Sequence, residues 1–236
     1  MNAGVCEAGA RAALYRAVEE TVRPALGLDA PIRWPALCQR LRGRIDLIEH
    51  HFDSDRILGV LVRGVEDGRS AIVLCADRSE TSRKFILCHE LIHYFLHPGR
   101  ERTLCRADRQ EDILEWQANE GAAQLLVPWQ DFLPRVGACR SALRTDKAEV
   151  FAELAALYAV SGQTIRFRIV TLADEIDQYL RGVPLEAIQL CSRRELRRMG
   201  RLPRPICDIE GTGNRVDIFC EEPGHGKTGR REIPYR

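Results

Sequence analysis

Two histidines four residues apart constrain this chain more than any other feature of its sequence. His89 and His93 lie inside the stretch Phe85–Leu96, where apolar side chains recur at intervals of three and four residues. That spacing predicts an amphipathic helix. Residues four apart on a helix lie one turn above each other on the same face, so both imidazoles can point at one ion. We expect the pair on the flank of the apolar stripe, where a half-buried cleft can form.

Glu90 and Glu115 complete the chemistry that this pair predicts. The order His-Glu-x-x-His places Glu90 near a water on the ion, which is the pattern of zinc metalloproteases: the histidines bind zinc and the glutamate takes the water's proton. Catalytic zinc uses three protein ligands and leaves one position open, so a third ligand is expected downstream, and Glu115 is the best candidate. Asn119, four residues further along the same helix face, can hydrogen-bond an imidazole N–H and fix its tautomer.

Both helices carry end signals in the sequence. For the first helix, Ser79 or Thr81 can cap the start and Pro98-Gly99 ends it. For the second, Asp108 and Glu111 form a capping-box pattern, and Pro128 limits the far end. Two crossing helices would then meet at one metal ion.

The two motifs together resemble the ImmA/IrrE family of metallopeptidases. The residues that carry the resemblance are 83–97, Arg-Lys-Phe-Ile-Leu-Cys-His-Glu-Leu-Ile-His-Tyr-Phe-Leu-His, followed by Glu115–Asn119 and Ala122–Pro128. Members typically read R-F-x-x-A-H-E-x-G-H-x-x-x-H and then E-x-x-A-N-x-F-A-x-x-L-L-x-P. The resemblance covers residues 31–133 well and extends more loosely to 180. It implies an intracellular zinc protease that cuts a helix-turn-helix transcriptional repressor and so releases genes of mobile elements or stress responses.

Three positions depart from the family pattern. Ile92 stands where the family has Gly, Gly121 where it has an aromatic residue, and Cys88 where it has Ala. Ile92 and Gly121 are a candidate compensating exchange of volume between the two helices. None of the three replaces an expected ligand or the expected base.

Size and composition favour a globular protein of the cytoplasm. The 236 residues are 45% hydrophobic and carry a formal net charge of +1, which argues against a strongly basic nucleic-acid-binding surface. No apolar run approaches the length of a membrane span, and the N-terminus lacks the basic-then-apolar order of a signal peptide. We therefore expect a cytoplasmic location and no membrane partner.

The nine cysteines read as reduced thiols. They are scattered singly, without a C-x-x-C pair, in a chain with no secretion signal. Cys88 adjoins His89, so its oxidation could affect metal binding, but a buried residue of about the size of alanine is the favoured interpretation. The cysteines are Cys6, Cys38, Cys75, Cys88, Cys105, Cys139, Cys191, Cys207 and Cys220.

The fold class predicted is α+β, a mostly helical zincin-like peptidase core with a small antiparallel sheet. Helices are expected over residues 8–28 and 31–43, and strands over 44–49, 57–62 and 71–75. A sheet edge near the metal could bind the substrate backbone as an added strand. The sequence leaves open which strand forms that edge.

Three further histidines are weaker metal candidates. His50 and His51, beside Asp53, are expected to be solvated turn residues. His97 continues the four-residue spacing by another turn, and we interpret it as a residue at the helix end or behind the metal ligands.

Residues 149–169 resemble a helix-turn-helix, with Ser161 as the cap of the second helix. Arg166 and Arg168 on that helix keep DNA contact open, although we favour a structural or repressor-docking role. Residues 181–204 form a locally basic helix, typical of a solvated face and equally compatible with docking to an acidic partner or a phosphate backbone.

Three segments are predicted. Residues 1–135 form the metallopeptidase domain, 136–204 a helical helix-turn-helix-like domain, and 205–236 a hairpin and a loosely ordered tail. Cys207, Cys220 and His225 in the tail are spaced too irregularly for a structural zinc site.

The function predicted from these residues is zinc-dependent endopeptidase activity. His89, His93 and Glu115 would bind one zinc ion, and Glu90 would act as the general base and then protonate the leaving amine. The oxyanion-stabilising residue and the oligomeric state are not identified. The alternative is a metal-containing regulator without hydrolytic activity that binds a repressor or DNA through residues 149–204.

Overall fold

The computed structural model describes residues 7–54, 56–64, 69–99, 102–106 and 113–190. Helices and one mixed sheet share a core, so the α+β prediction is confirmed. The strands are β1 (Ile45–His50), β2 (Ile57–Val62), β3 (Ser70–Cys75) and β4 (Arg102–Arg106). The helices are α1 (Glu7–Ala17), a π-helical turn (Val18–Val22), α2 (Arg23–Leu26), α3 (Trp34–Leu41), α4 (Glu80–Leu96), α5 (Ile113–Leu126), α6 (Trp129–Ala138), α7 (Ala142–Thr145), α8 (Lys147–Tyr158), α9 (Gly162–Thr171), α10 (Ala173–Leu180) and a 3-10 turn (Leu185–Ala187).

The sheet differs from the antiparallel one expected. Its order is β1-β3-β2-β4, with β1 parallel to β3 and β2 antiparallel to both β3 and β4. The three predicted strands lie within one residue of their expected bounds, but β3 inserts between β1 and β2, so β1 and β3 run in the same direction. Alternating apolar residues predict a strand without predicting its neighbour. Within the described part of the chain, β1 and β4 are the outer strands.

Helix α4 lies in the middle of the protein. Ser79 caps its start, with the Ser79 hydroxyl accepting a hydrogen bond from the Ser82 N–H at 3.3 Å, and His97 follows its last turn. One side of α4 packs on the sheet and another on α5, so every residue from Lys84 to His93 is buried. A helix covered on several sides buries more than one apolar stripe. The prediction of a half-buried cleft beside the histidines is therefore wrong for this conformation.

The contact between α4 and α5 is close at Gly121. A Cβ atom added there would lie 3.1 Å from three carbon atoms of the Ile92 side chain. The small residue of one helix therefore faces the large residue of the other, as the exchange of volume relative to the family pattern predicts. This packing lets the backbone of α5 approach the face of α4 that carries the histidines.

The N-terminal helices also match their predicted region. The first predicted helix is α1, the π-helical turn and α2, and it ends at Leu26 because Gly27 takes up a left-handed conformation with φ of +59°. Pro24 lies in the first turn of α2, where its missing N–H costs little, so the helix continues past it.

Residues 149–169 fold as two helices, α8 and α9, joined by a short turn, and one of the two arginines considered for DNA contact is buried. Ser161 caps α9 by accepting from the Thr164 N–H at 3.2 Å, as expected. The guanidinium of Arg168, however, is fully buried and donates to Glu120 Oε1 at 3.1 Å and to the Val127 carbonyl at 3.1 Å. The sequence allowed Arg168 to contact DNA. Because its side chain is buried in this structure, it is not accessible for that contact.

Several predictions fall outside the described residues. The capping box at Asp108 and Glu111, the part of the predicted basic helix beyond residue 190 and the C-terminal hairpin with its tail all lie there. Of that predicted helix over 181–204, residues 181–190 are described and contain only the 3-10 turn Leu185–Ala187, so the helix prediction is wrong for them. The division at residues 135 and 204 stays a prediction. No helix in the described ranges is long and apolar enough to span a membrane.

The packing at Gly121 predicts energetic coupling to Ile92. Gly121→Leu should lower the free energy of unfolding by about 1–3 kcal/mol through overpacking, and Ile92→Ala by about 2–5 kcal/mol through a cavity. The double variant should lose clearly less free energy of unfolding than the sum of the two single losses, because the new leucine fills the cavity left by Ile92→Ala. Urea unfolding of chelator-treated protein measures this without a contribution from metal binding.

A matched control uses the opposite side of the same helix. Ile86 packs toward β2, since its Cγ2 would lie 2.6 Å from a Cβ at Gly59. Ile86→Ala combined with Gly121→Leu should be additive. Equal coupling in both pairs would contradict a specific contact between Gly121 and Ile92.

Candidate metal centre

Three side chains from α4 and α5 converge on one point. His89 Nε2 lies 3.2 Å from His93 Nε2 and 3.3 Å from Glu115 Oε2, and His93 Nε2 lies 3.5 Å from Glu115 Oε1. One turn of α4 separates the histidines, as their spacing predicts, and the packing of α5 on α4 supplies the carboxylate. The structure thus brings together the three residues that the sequence predicted as ligands.

The separations of these donor atoms fit a zinc-sized ion. Ligands at about 2.0–2.1 Å from a tetrahedral zinc ion lie roughly 3.3–3.4 Å from one another. The two histidine nitrogens lie 3.2 Å apart, and the Glu115 carboxylate lies 3.3 Å from His89 through Oε2 and 3.5 Å from His93 through Oε1, so the three side chains are close enough to share one ion. Two imidazoles and one carboxylate fill three corners of the tetrahedron, which is the donor set of a catalytic rather than a closed structural site.

Hydrogen bonds behind the histidines fix which nitrogen faces the ion. His89 Nδ1 lies 3.0 Å from Asn119 Oδ1, so an N–H there donates to the amide and Nε2 keeps its lone pair for metal. His93 Nδ1 lies 2.9 Å from His97 Nδ1, and His97 Nε2 lies 2.9 Å from Gln117 Oε1. Asn119 and His97 lie where the sequence placed them, behind the ligands, and Gln117 was not predicted.

Burial and the neighbouring side chains together set the pKa values of these three groups in the absence of metal. Burial lowers the pKa of His93 to about 4, so its imidazole is neutral at pH 7 and can ligate. Burial would also lower the pKa of His89, but the Cys105 thiol and the carboxylates of Glu115 and Glu90 raise it well above its usual value. Burial raises the pKa of Glu115, yet the close contacts with the His89 and His93 side chains outweigh it and hold that pKa below its ordinary range.

Glu90 faces the sheet rather than the donor atoms of α5. The Thr103 hydroxyl on β4 donates to Glu90 Oε2 at 2.6 Å, while the buried Oε1 has no hydrogen-bond partner among the described residues. Burial raises the pKa of this carboxyl, against the opposing effects of His89 and Thr103. Gly59 on β2 lies beside this carboxylate, and a Cβ there would be in ordinary contact with Glu90 Oε1 at 3.5 Å.

Strand β4 contributes two residues that the sequence did not reveal. Besides Thr103, it places the thiol of Cys105 within 4.8 Å of a ring nitrogen of His89 and a carboxylate oxygen of Glu90. The strand Arg-Thr-Leu-Cys-Arg is short and bounded by arginines, so its periodicity carries little signal. Cys88 belongs to neither metal-compatible group found in the described chain, and burial raises the pKa of its thiol to about 12, which fits a core residue.

The remaining histidine candidates lie elsewhere. His51 is exposed, and its Nδ1 lies 2.7 Å from Asp77 Oδ1, as expected of a solvated turn residue. His50 and His51 take part in no metal-compatible group among the described residues. Cys207, Cys220 and His225 lie outside those residues.

Two histidines one helical turn apart, a carboxylate from a second helix and a glutamate after the first histidine are the arrangement of the HExxH metallopeptidases. A family model described as the IrrE N-terminal-like domain, Peptidase_M78, matches residues 45–170, more than half of the chain. The chain therefore belongs to this peptidase family, and the resemblance drawn from its motifs is confirmed. A comparison with curated proteins found no match.

His97 should strengthen metal binding although it does not touch the metal position. Its imidazole is the partner of His93 Nδ1, and loss of such a partner typically weakens metal affinity about 10- to 100-fold. We expect this weakening for His97→Ala in a competition titration of zinc against a chromophoric chelator. His51→Ala, which removes an exposed histidine, should leave the affinity unchanged. An unchanged affinity in His97→Ala would show that His93 is oriented without it.

Proposed function

We propose that this protein is a zinc-dependent endopeptidase. The observation that carries the proposal is the triangle formed by the side chains of His89, His93 and Glu115, whose ring nitrogens and carboxylate oxygens lie 3.2 to 3.5 Å apart. A set of three protein ligands leaves the fourth position of a zinc ion for solvent. Glu90 lies beside this triangle with one carboxylate oxygen held by Thr103 and the other without a partner in the described chain. Membership in the IrrE-like peptidase family supports the same activity.

Glu90 acts as general base and then as general acid. Zinc, when bound, acidifies a water molecule and polarises the scissile carbonyl. Glu90 Oε1, which has no hydrogen-bond partner among described residues, accepts the proton of the attacking water and delivers it to the departing amine. Thr103 donates to Oε2 and thereby holds the carboxylate in one orientation, so only Oε1 is left for proton transfer. The buried surroundings raise the pKa of Glu90. A higher pKa makes the carboxylate a stronger base, so it favours uptake of the proton from water over its release to the amine.

The substrate backbone is proposed to bind along β4. This outer strand pairs with β2 on one side, and its inward residues Thr103 and Cys105 lie next to the base and a metal-binding histidine. A peptide added as a further strand would bring its carbonyls past the metal centre, with main-chain hydrogen bonds giving affinity.

The substrate class we propose is a helix-turn-helix transcriptional repressor in the cytoplasm. The family resemblance supports it, since relatives with these motifs look like proteases that remove such repressors. Cleavage would release the genes of a mobile element or a stress response. Direct DNA binding is not part of the proposal, because Arg168 on α9 is committed to buried hydrogen bonds.

One observation favours a second candidate, a metal-containing regulator without hydrolytic activity. The side chains of His89, His93 and Glu115 are 1%, 0% and 5% exposed, as in a metal site with a structural role. The presence of Glu90 with an unpartnered oxygen in the described structure favours the peptidase instead. Only the peptidase predicts new N-termini in a cellular protein.

Glu90→Gln should abolish cleavage and keep metal. Glutamine preserves the volume but cannot accept the water's proton, and it is not a ligand of the ion. The measurement compares new protein N-termini in cells that express wild type or Glu90→Gln, together with the zinc content of the purified chains. Glu49→Gln, at a partly exposed ion pair with Arg83, is the matched control and should cleave as wild type does. Equal cleavage by Glu90→Gln would refute the role of Glu90.

Thr103→Val should lower kcat roughly tenfold to a hundredfold. The variant loses a hydrogen bond to a charged group, worth about 1.5–3 kcal/mol, and frees Glu90 to turn. Thr103→Ser restores the hydroxyl and should recover the rate, while KM and zinc affinity stay as in wild type. The measurement uses the substrate found by the N-terminus comparison. A fall in kcat that Thr103→Ser fails to restore would point to packing of the methyl group instead.

A further inference from the structure

Strand β4 brings a free thiol to the edge of the donor triangle. Cys105 is 1% exposed, and its sulfur, a ring nitrogen of His89 and an oxygen of Glu90 all lie within 4.8 Å of one another. Cys105 does not group with His93 and Glu115 in the described structure, so the sulfur stands beside the triangle rather than at its open corner.

A second feature of the same pocket points to a cationic occupant. Glu90 is 0% exposed, yet its Oε1 makes no hydrogen bond to any described residue. A buried carboxylate oxygen without a partner is costly, and such atoms in native proteins usually face an ion or a water. A thiol, an imidazole and a carboxylate that lie this close together form a set of donors that suits a thiophilic divalent ion.

We propose that Cys105 is a reserve fourth ligand of the metal, so that the resting protein holds the ion in a closed site of His89, His93, Glu115 and Cys105. This regulates the proposed peptidase site and rests on its metal centre. The sulfur and nitrogen ligands of one tetrahedral zinc ion lie roughly 3.5 Å apart, so the sulfur must approach His89 by up to about 1.3 Å and must also come closer to His93 and Glu115, with which it does not group in the described structure. A rotation about the Cα–Cβ bond of Cys105 together with a shift of β4 would bring the sulfur there. The S–H bond breaks as the sulfur–metal bond forms, and the proton passes to solvent, with no oxidation or reduction.

The closed site would add a direct block to a metal centre that is already buried while the thiol lies beside it. Four protein ligands leave no corner for water, which keeps the ion structural and the enzyme latent. When the thiol swings away, the open corner returns beside Glu90. Strand β4 carries the thiol and is also the strand proposed to bind the peptide. Binding of the substrate to β4 could therefore move the thiol away from the metal.

The test reads the metal directly and needs no substrate. Cobalt(II) replaces zinc in the full chain, and a thiolate ligand gives an intense near-ultraviolet charge-transfer band on top of the weaker visible bands of tetrahedral cobalt. We expect the charge-transfer band in wild type, its loss in Cys105→Ser, and its retention in Cys88→Ala, which changes a buried cysteine outside the cluster. Visible cobalt bands without the charge-transfer band in wild type would overturn the proposal and leave the three-ligand site standing.

X-ray absorption on zinc-loaded wild type provides a measurement that depends on no variant. A sulfur neighbour at about 2.3 Å supports the closed site, and a shell of nitrogen and oxygen alone overturns it. Failure of His93→Ala to abolish metal binding would overturn the metal centre itself, and with it the proposed function. Normal metal binding without sulfur would overturn only the role of Cys105.

Discussion

The burial of Glu115 between His89 and His93 is the interaction on which the rest of the structure depends. Taking a carboxylate out of water costs several kcal/mol unless partners replace the lost hydration. Here both imidazoles lie within 3.5 Å of it, and Asn119 and His97 in turn hold the imidazoles. The contacts of Glu115 with both histidines and of Asn119 with His89 cross between the helices, so they require α4 and α5 to keep one relative position. A divalent ion at the centre would replace the shared protons as the compensating charge, so metal binding and the packing of the two helices are one equilibrium.

The far side of α5 shows how that position is held. Glu120, next to Asn119, accepts from Arg168 of α9 at 3.1 Å and from Arg11 of α1 at 3.3 Å, and Arg11 also donates to Glu175 of α10 at 3.2 Å. These groups are buried, so removing one partner would leave another charge unpaired, at a cost of about 3–5 kcal/mol. Helices from both ends of the described chain therefore fix α5 from one side while α4 fixes it from the other. In this protein the helix-turn-helix form serves packing, since its second helix supplies Arg168 to this network.

Local pattern explains which parts of this architecture could be predicted. The spacing of His89, His93 and Glu115, the caps at Ser79 and Ser161 and three strands follow from short-range rules of helix and strand geometry, and the structure places them as expected. The order of the strands, the existence of β4 and the burial of the site depend on which elements pack together, and periodicity does not encode partners. Thr103, Cys105 and Gln117 were missed for that reason. Each becomes meaningful only after a distant segment is folded against α4.

Strand β4 is the element through which the proposed metal centre, buried as it is, could become accessible to a peptide. It pairs with β2 alone among the described strands, and the register between them is irregular near Ile57 and Gly59. An outer strand with an irregular ladder is hydrogen-bonded less extensively than a central one, so it shifts at lower cost than α4 or α5. Thr103 and Cys105 lie two residues apart on the same inward face, which ties the base and the thiol to the same movement. A small displacement of β4 would therefore change the accessibility of the ion and the orientation of Glu90 together, while the donor triangle between the two helices stays intact.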